Sequence, residues 1–351
     1  MIKIKVPARI CFFGDHQDYL DLPVIAGTID RYIYFEGVPN TSENFRINLP
    51  DIESFIEFSL EDKLAAVKKN DYFRSAMAVL KKNELTLTCG FDVTISGNIP
   101  VNAGLSSSSA LVVGWIRFLI AAAENFKAVS DLQIGKWAYE SEVLFFNQPG
   151  GLMDQYTIAL GGLIYIDTKS GDCTALNSNL GTLIVAESGL AKKTLTVLKN
   201  ASVYAQKAIQ AVIEQHTDFD IHTSTIEDYE KYFDSVPEKY QPYWYAAIHN
   251  YALTLKAKKM LLESQPDAIL LGQWMLEHQD ILQHQIQNTP KAMIQMIDAA
   301  VTAGALGAKV IGSGGGGCIV AMATPVTKTA VINALLSAGA AAAYEVQLTH
   351  H

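Results

Sequence analysis

The sequence predicts an α+β fold in two parts, and three observations predict it. The chain has 351 residues, a length that suits two domains. Its first half mixes strand-like and helix-like runs, whereas from Leu190 the pattern turns helical. Near the end, 307–322 reads as strand, glycine-rich loop and strand, with the loop at 312–317. These features place one domain at 1–180 and the other at 181–351.

Residues 2–6 alternate apolar and charged side chains and read as a strand, as do 32–38. Between them an apolar run ends at Gly14, and residues 44–58 read as a strand pair. Helical spacing of Leu64, Val67, Phe73, Met77 and Leu80 predicts a helix over 61–82, followed by a strand over 85–96. A glycine- and serine-rich loop then opens a mostly apolar helix at 108–124. Ser130, with Gln133 three residues on, starts a further helix to about Phe146. Pro149-Gly150-Gly151 breaks that helix, and a new segment runs to Ala159. Strands follow at 161–167 and 182–187, then helices at 190–215, 226–234, 242–264, 267–287 and 290–303. Helix 326–339 and strand 342–348 follow the glycine loop.

Composition excludes several functions. With 49% hydrophobic and 18% charged residues the chain is ordinary globular material. A net charge of −9 argues against nonspecific binding to nucleic acid or to an anionic membrane. No apolar run approaches a membrane span, and Met1–Val6 lacks the apolar core of a signal peptide. Cys11, Cys89, Cys173 and Cys318 form no CxxC pair and read as reduced thiols of a cytoplasmic protein.

The chemistry centres on Gly97–Ala110, where Ser106, Ser107, Ser108 and Ser109 stand at a helix start. Hydroxyls, unpaired backbone N–H groups and the positive end of the helix together make an anion site, suited to nucleotide phosphates. Asp15, His16 and Asp18 follow a buried-looking strand; a solvated turn is the bland reading, and a site for a polyhydroxylated ligand is the sharp one. Asp154, taken alone, reads as a helix cap. Gly312-x-Gly314-x-x-Gly317 formally fits a dinucleotide fingerprint, but a strand rather than a helix follows it. Its small residues instead suit close approach to another loop. There is no GxxxxGK[ST], HExxH or GxSxG match.

Arg9–Tyr19, Pro100–Ala110 and Gly307–Cys318, in this order and with Gly151-Leu152-Met153-Asp154-Gln155 between them, resemble the GHMP kinase superfamily. Within it the chain resembles the galactokinases. The resemblance implies an N-terminal ribosomal-S5-domain-2-like domain and a C-terminal ferredoxin-like domain, with the active site between them. It implies ATP and Mg²⁺ as cofactors and a sugar hydroxyl as acceptor, giving a sugar 1-phosphate. Asp154 and Arg9 take the catalytic positions, and Ser108 and Glu142 the metal positions. Pro100, Gly104, Leu105, Ser106–Ser109, Gly314 and Gly315 fall on nucleotide-binding positions. Asp15, His16, Asp18, Tyr19 and Gly151 fall on acceptor-binding ones. Two departures stand out. Asp15 occupies a position where galactokinases carry Glu, and Glu187–Thr194 offers no counterpart to their sugar-contacting tyrosine. Two alternatives are a mevalonate kinase-type enzyme and a non-catalytic sugar-binding regulator.

Overall fold

The computed structural model describes residues 1–62, 64, 67–101, 103–125, 128–191 and 194–349. Asn102, Lys192, Lys193, His350 and His351 lie outside the described residues.

The chain opens with β1 (Ile2–Phe13) and β2 (Val24–Pro39), a long antiparallel pair running from Ile2↔Gly37 to Phe13↔Ile25. Both strands are longer than alternation predicts. Ala8–Phe13 and Val24–Ile29 are buried on both faces, so the two-residue period disappears and the run reads as uniformly apolar. Strands β3 (Asn44–Leu49) and β4 (Ser54–Ser59) form the expected hairpin.

Helix α1 (Tyr72–Lys82) starts eleven residues later than its apolar spacing predicts. Asn70 turns left-handed at φ +67°, and the Asp71 carboxylate then caps the helix by accepting from the Arg74 N–H at 3.2 Å. Strand β5 (Phe91–Gly97) is shorter than expected at its start, where Gly90 packs against the Asn44 backbone.

Helix α2 (Ser107–Ala122) crosses the sheet and buries Trp115 and Phe118. Helix α3 (Asp131–Tyr139) is capped by Ser130 as read from the sequence, but does not continue as an α-helix to Phe146. Glu140–Leu144 forms a π-helical turn, with the Phe145 N–H donating to the Glu140 carbonyl at 2.8 Å. Helix α4 (Met153–Leu160), β6 (Leu163–Ile166) and β7 (Cys173–Ala175) complete the first half. The first sheet runs β4-β3-β5-β2-β6-β7, with β1 also paired to β2.

The second half begins with β8 (Thr182–Glu187) and continues through α5 (Thr194–Gln215), α6 (Glu227–Tyr232), α7 (Gln241–Leu261), α8 (Ala268–Ile281) and α9 (Lys291–Thr302). Strands β9 (Gly307–Val310) and β10 (Cys318–Ala323), helix α10 (Lys328–Ser337) and β11 (Ala342–Val346) follow. The second sheet is antiparallel in the order β11-β8-β10-β9, the split arrangement of a ferredoxin-like unit. The largest apolar cluster joins the two sheets: Ile10, Ile25 and Phe35 share it with Val185, Ile311 and Val320. Among the described residues no helix is long and apolar enough to cross a membrane.

Candidate active site

The serine loop enters α2 through two left-handed residues, Gly104 at φ +90° and Ser106 at φ +57°. Ser106 occupies the cap position, yet its hydroxyl does not cap the helix. It donates instead to Asp154 Oδ2 at 2.5 Å. Helix α2 therefore presents its first turn, Ser107 to Ser109, without a side-chain cap, and the opening amides of a helix have no intrahelical acceptor.

Asp154 lies in the first turn of α4, whose cap residue, Leu152, makes no side-chain cap bond. Asp154 thus stands inside the helix, two residues past the cap position. Its second oxygen, Oδ1, accepts from Arg9 Nε at 2.7 Å. Arg9 is 3% exposed on β1, and its Nη1 also donates to the Gly104 carbonyl at 2.8 Å. Burial opposes its charge, but the field and hydrogen bond of Asp154 outweigh that and leave the guanidinium more firmly protonated than usual. One arginine thus ties the serine loop to the Asp154 carboxylate.

The π-helical turn carries Glu142 inward, where it is buried. Gln155 Nε2 donates to its Oε2 at 2.7 Å. Burial raises its pKa, partly offset by hydrogen bonds from Gln155, Ser109 and Ser108. No described cation forms an ion pair with it. A buried carboxylate beside the Ser108 hydroxyl supplies hard oxygen donors, which suits Mg²⁺ with its remaining positions filled by phosphate and water. The described residues contain no cluster of three His, Cys, Asp or Glu able to hold a metal without such help.

The residues after β1 divide in an unexpected way. Asp15 is wholly buried and its Oδ2 accepts from Lys309 Nζ at 2.6 Å, with both side chains at 0% exposure. Burial raises its pKa, but Lys309 outweighs that and holds the carboxyl below its usual value. His16 is left-handed at φ +65°. Its Nε2 lies 3.1 Å from the Ser313 carbonyl, which can only accept, and its Nδ1 lies 3.0 Å from the Tyr19 hydroxyl. Asp18 accepts from the Tyr19 backbone N–H at 3.0 Å, and its carboxyl packs on Gly151 so closely that a Cβ there would fall 2.3 Å from Cγ. Burial, and then repulsion from Asp154, push the Asp18 pKa up to about 7.

A cavity of about 460 Å³ brings together Arg9, Asp15, His16, Asp18, Ser108, Ser109, Glu142, Gly151 and Asp154. Tyr19, Pro100, Gly104, Leu105, Ser106, Ser107, Gly314 and Gly315 do not line it. Tyr19 instead packs against the helices of the second half, and Leu105 is buried in the core. The glycine loop closes over the serine loop: a Cβ on Gly317 would lie 2.6 Å from the Ala103 carbonyl oxygen. Asn288 holds this loop, with its carbonyl accepting from the Gly315 N–H at 2.6 Å. A second cavity of about 310 Å³, lined by Ile56, Lys68, Lys69 and Leu111, shares Asn70 and Tyr72 with the first.

Sequence reasoning passed over Lys309, Asn288, Gln155, Asn70 and Tyr72. Lys309 carried a usable signal, a single charge inside the apolar strand Ala308-Lys309-Val310-Ile311, because an unpaired lysine is almost never fully buried. Asn288, Asn70 and Tyr72 sit in segments whose composition marks nothing unusual.

Two family models match the chain, the GHMP kinases N-terminal domain over residues 71–162 and the GHMP kinases C-terminal domain over 258–341. The chain belongs to the GHMP kinases. This GHMP kinase is 28% identical to a mevalonate kinase of Pyrococcus abyssi, over 97% of its own length and 93% of the relative's. It is 27% identical to a galactokinase of Thermococcus kodakarensis, over 92% and 89%. Its fold matches the crystal structure of Lactococcus lactis galactokinase complexed with galactose at a TM-score of 0.87, with 19% identity over 99% of this chain and 93% of that one. It also matches Methanococcus jannaschii mevalonate kinase at 0.74, with 18% identity over 99% and 98%. Membership of the family implies an ATP-dependent phosphotransferase with a hydroxyl acceptor.

Proposed function

We propose that this GHMP kinase phosphorylates a sugar, most simply at the anomeric hydroxyl, in the manner of a galactokinase. One observation carries the choice of acceptor. Among the described residues lining the 460 Å³ cavity, Arg9 is the one arginine or lysine, and it is already committed to Asp154 and Gly104. A carboxylate-bearing acceptor would find no spare cation there and would face Asp18. A neutral polyol suits the same wall, because a carboxyl titrating near 7 both donates and accepts hydrogen bonds.

In this reading the uncapped first turn of α2 receives the β- and γ-phosphates, and the base extends into the adjoining 310 Å³ cavity past Asn70 and Tyr72. Ser108 and Glu142 hold Mg²⁺, which neutralises phosphate charge when bound. Asp154 faces the acceptor hydroxyl, orients it and takes its proton as its oxygen bonds to the γ-phosphorus and ADP departs. Arg9 keeps Asp154 aimed and adds positive charge beside the transferred group. Asp18 binds remaining hydroxyls, and His16, whose ring nitrogens meet Ser313 and Tyr19, shapes the wall beside them.

Mevalonate is the second reading, because mevalonate kinases stand beside galactokinases among the relatives. ADP release measured over galactose, other hexoses and mevalonate separates the two. Turnover with a hexose, and phosphorus NMR of a sugar 1-phosphate, is the expected result. Turnover with mevalonate alone would replace this reading. No ADP release above the ATP-only rate with any acceptor would point to a binding protein.

A further inference from the structure

Lys309 sits on β9, three residues before Gly312 of the glycine loop, with its side chain at 0% exposure. Its ammonium has three hydrogens and three acceptors: Asp15 Oδ2 at 2.6 Å, the Cys11 carbonyl at 3.2 Å and the Val310 carbonyl at 2.6 Å. These belong to residues 14–20, the acceptor loop of the proposed function, to the end of β1 and to the approach to the glycine loop. Asp15 Oδ1 is buried with no hydrogen-bond partner among the described residues, and Asp15 stands in the cavity wall with no exposed side-chain surface, whereas Lys309 does not line the cavity. The His278 ring, stacked on Phe13, faces the same pair. Burial, helped by Lys309, pushes the His278 pKa down to about 3, so the ring stays neutral and leaves the local charge balanced. A buried ion pair contributes little net stability compared with an apolar pair of the same shape, so its structural effect is to fix positions. One residue along the acceptor loop, His16 meets the Ser313 carbonyl and makes a second tie between the same two loops.

We propose that Lys309 is a positioning residue, and that its ion pair with Asp15 locks the acceptor loop and the glycine loop into one unit. On this view Asp15 never touches the acceptor, in contrast to the role expected from its sequence. The kinetic arm of the test rests on the sugar-kinase reading, and the exchange arm does not.

Amide hydrogen exchange is measured on the wild type, Asp15→Asn, Lys309→Met and the double variant, which leaves no unpaired charge and keeps a folded sample available. Asp15→Asn is expected to speed exchange across 312–317 by about tenfold, and Lys309→Met to do the same across 14–20, with α2 unchanged. Changes confined to the loop that carries the substitution, or wild-type exchange in the double variant, would overturn the coupling. In steady-state kinetics the acceptor KM should rise about tenfold in the double variant, and by the same factor for every deoxy analogue of the acceptor. Lys309→Arg should restore most of the loss seen in Lys309→Met. If one deoxy analogue is insensitive to Asp15→Asn, that carboxylate binds the missing hydroxyl and the proposal fails. If the wild type turns over no sugar, the kinase reading falls while the exchange data still judge the coupling.

Discussion

Arg9 and Asp154 illustrate how much a single side-chain pair settles. The guanidinium reaches both the carboxylate and the Gly104 carbonyl, so the serine loop and the start of α4 cannot drift apart independently. Asp154→Asn keeps the size of the side chain and removes its basicity. The expected outcome is a kcat lower by about 10² to 10⁴ with ATP affinity, read by calorimetry, within about twofold of wild type. Asp18 makes a second prediction through its proton. Its folded pKa is raised from 3.8 to about 7, so between those values the folded state holds a proton that the unfolded chain has lost. Stability contributed by this group is present at low pH and is lost as pH rises through that window. Asp18→Asn should therefore have a higher melting temperature than wild type at pH 8, and the gap should close toward pH 4. The contiguous motif residues were legible because each sits beside others of matching chemistry. The pairing of Asp15 with Lys309 was not legible, because the two lie 294 positions apart and no local pattern announces a pairing of that span.

Among the elements, the π-helical turn at Glu140–Leu144 and the glycine loop matter most to the site. The periodicity of 131–146 correctly indicates a helix, but a widened turn keeps nearly the same spacing of apolar residues and leaves no compositional mark. The late start of α1 is a similar case: the capping chemistry of Asp71 overrides an apolar spacing that extends beyond it. The glycine loop was legible as a close-approach surface, and Gly317 shows why. Its φ of +88° disfavours any side chain, and an added Cβ would collide with the Ala103 carbonyl. Gly317→Ala should destabilise the fold by about 1 to 3 kcal/mol in denaturant titrations. Under the proposed assignment it should also weaken ATP binding more than acceptor binding.

Across the whole molecule, the two sheets share one apolar cluster that includes Phe35 and Ile10 on one side and Val185 and Val320 on the other. Calorimetric unfolding is expected to give one transition, with matching calorimetric and van't Hoff enthalpies. Two resolved transitions would show that the halves unfold separately. The two-part α+β plan was readable from the change in periodicity near residue 190, whereas the joining of the cores was not, because apolar strands look alike whichever partner they meet. The Gly317–Ala103 contact has a further consequence for biosynthesis. Ribosomes deliver Arg9, the serine loop and Asp154 well before Gly312–Gly317. A nascent chain paused between these points carries a bare serine loop, and the contact that covers it forms only after more than two hundred further peptide bonds separate Ala103 from Gly317.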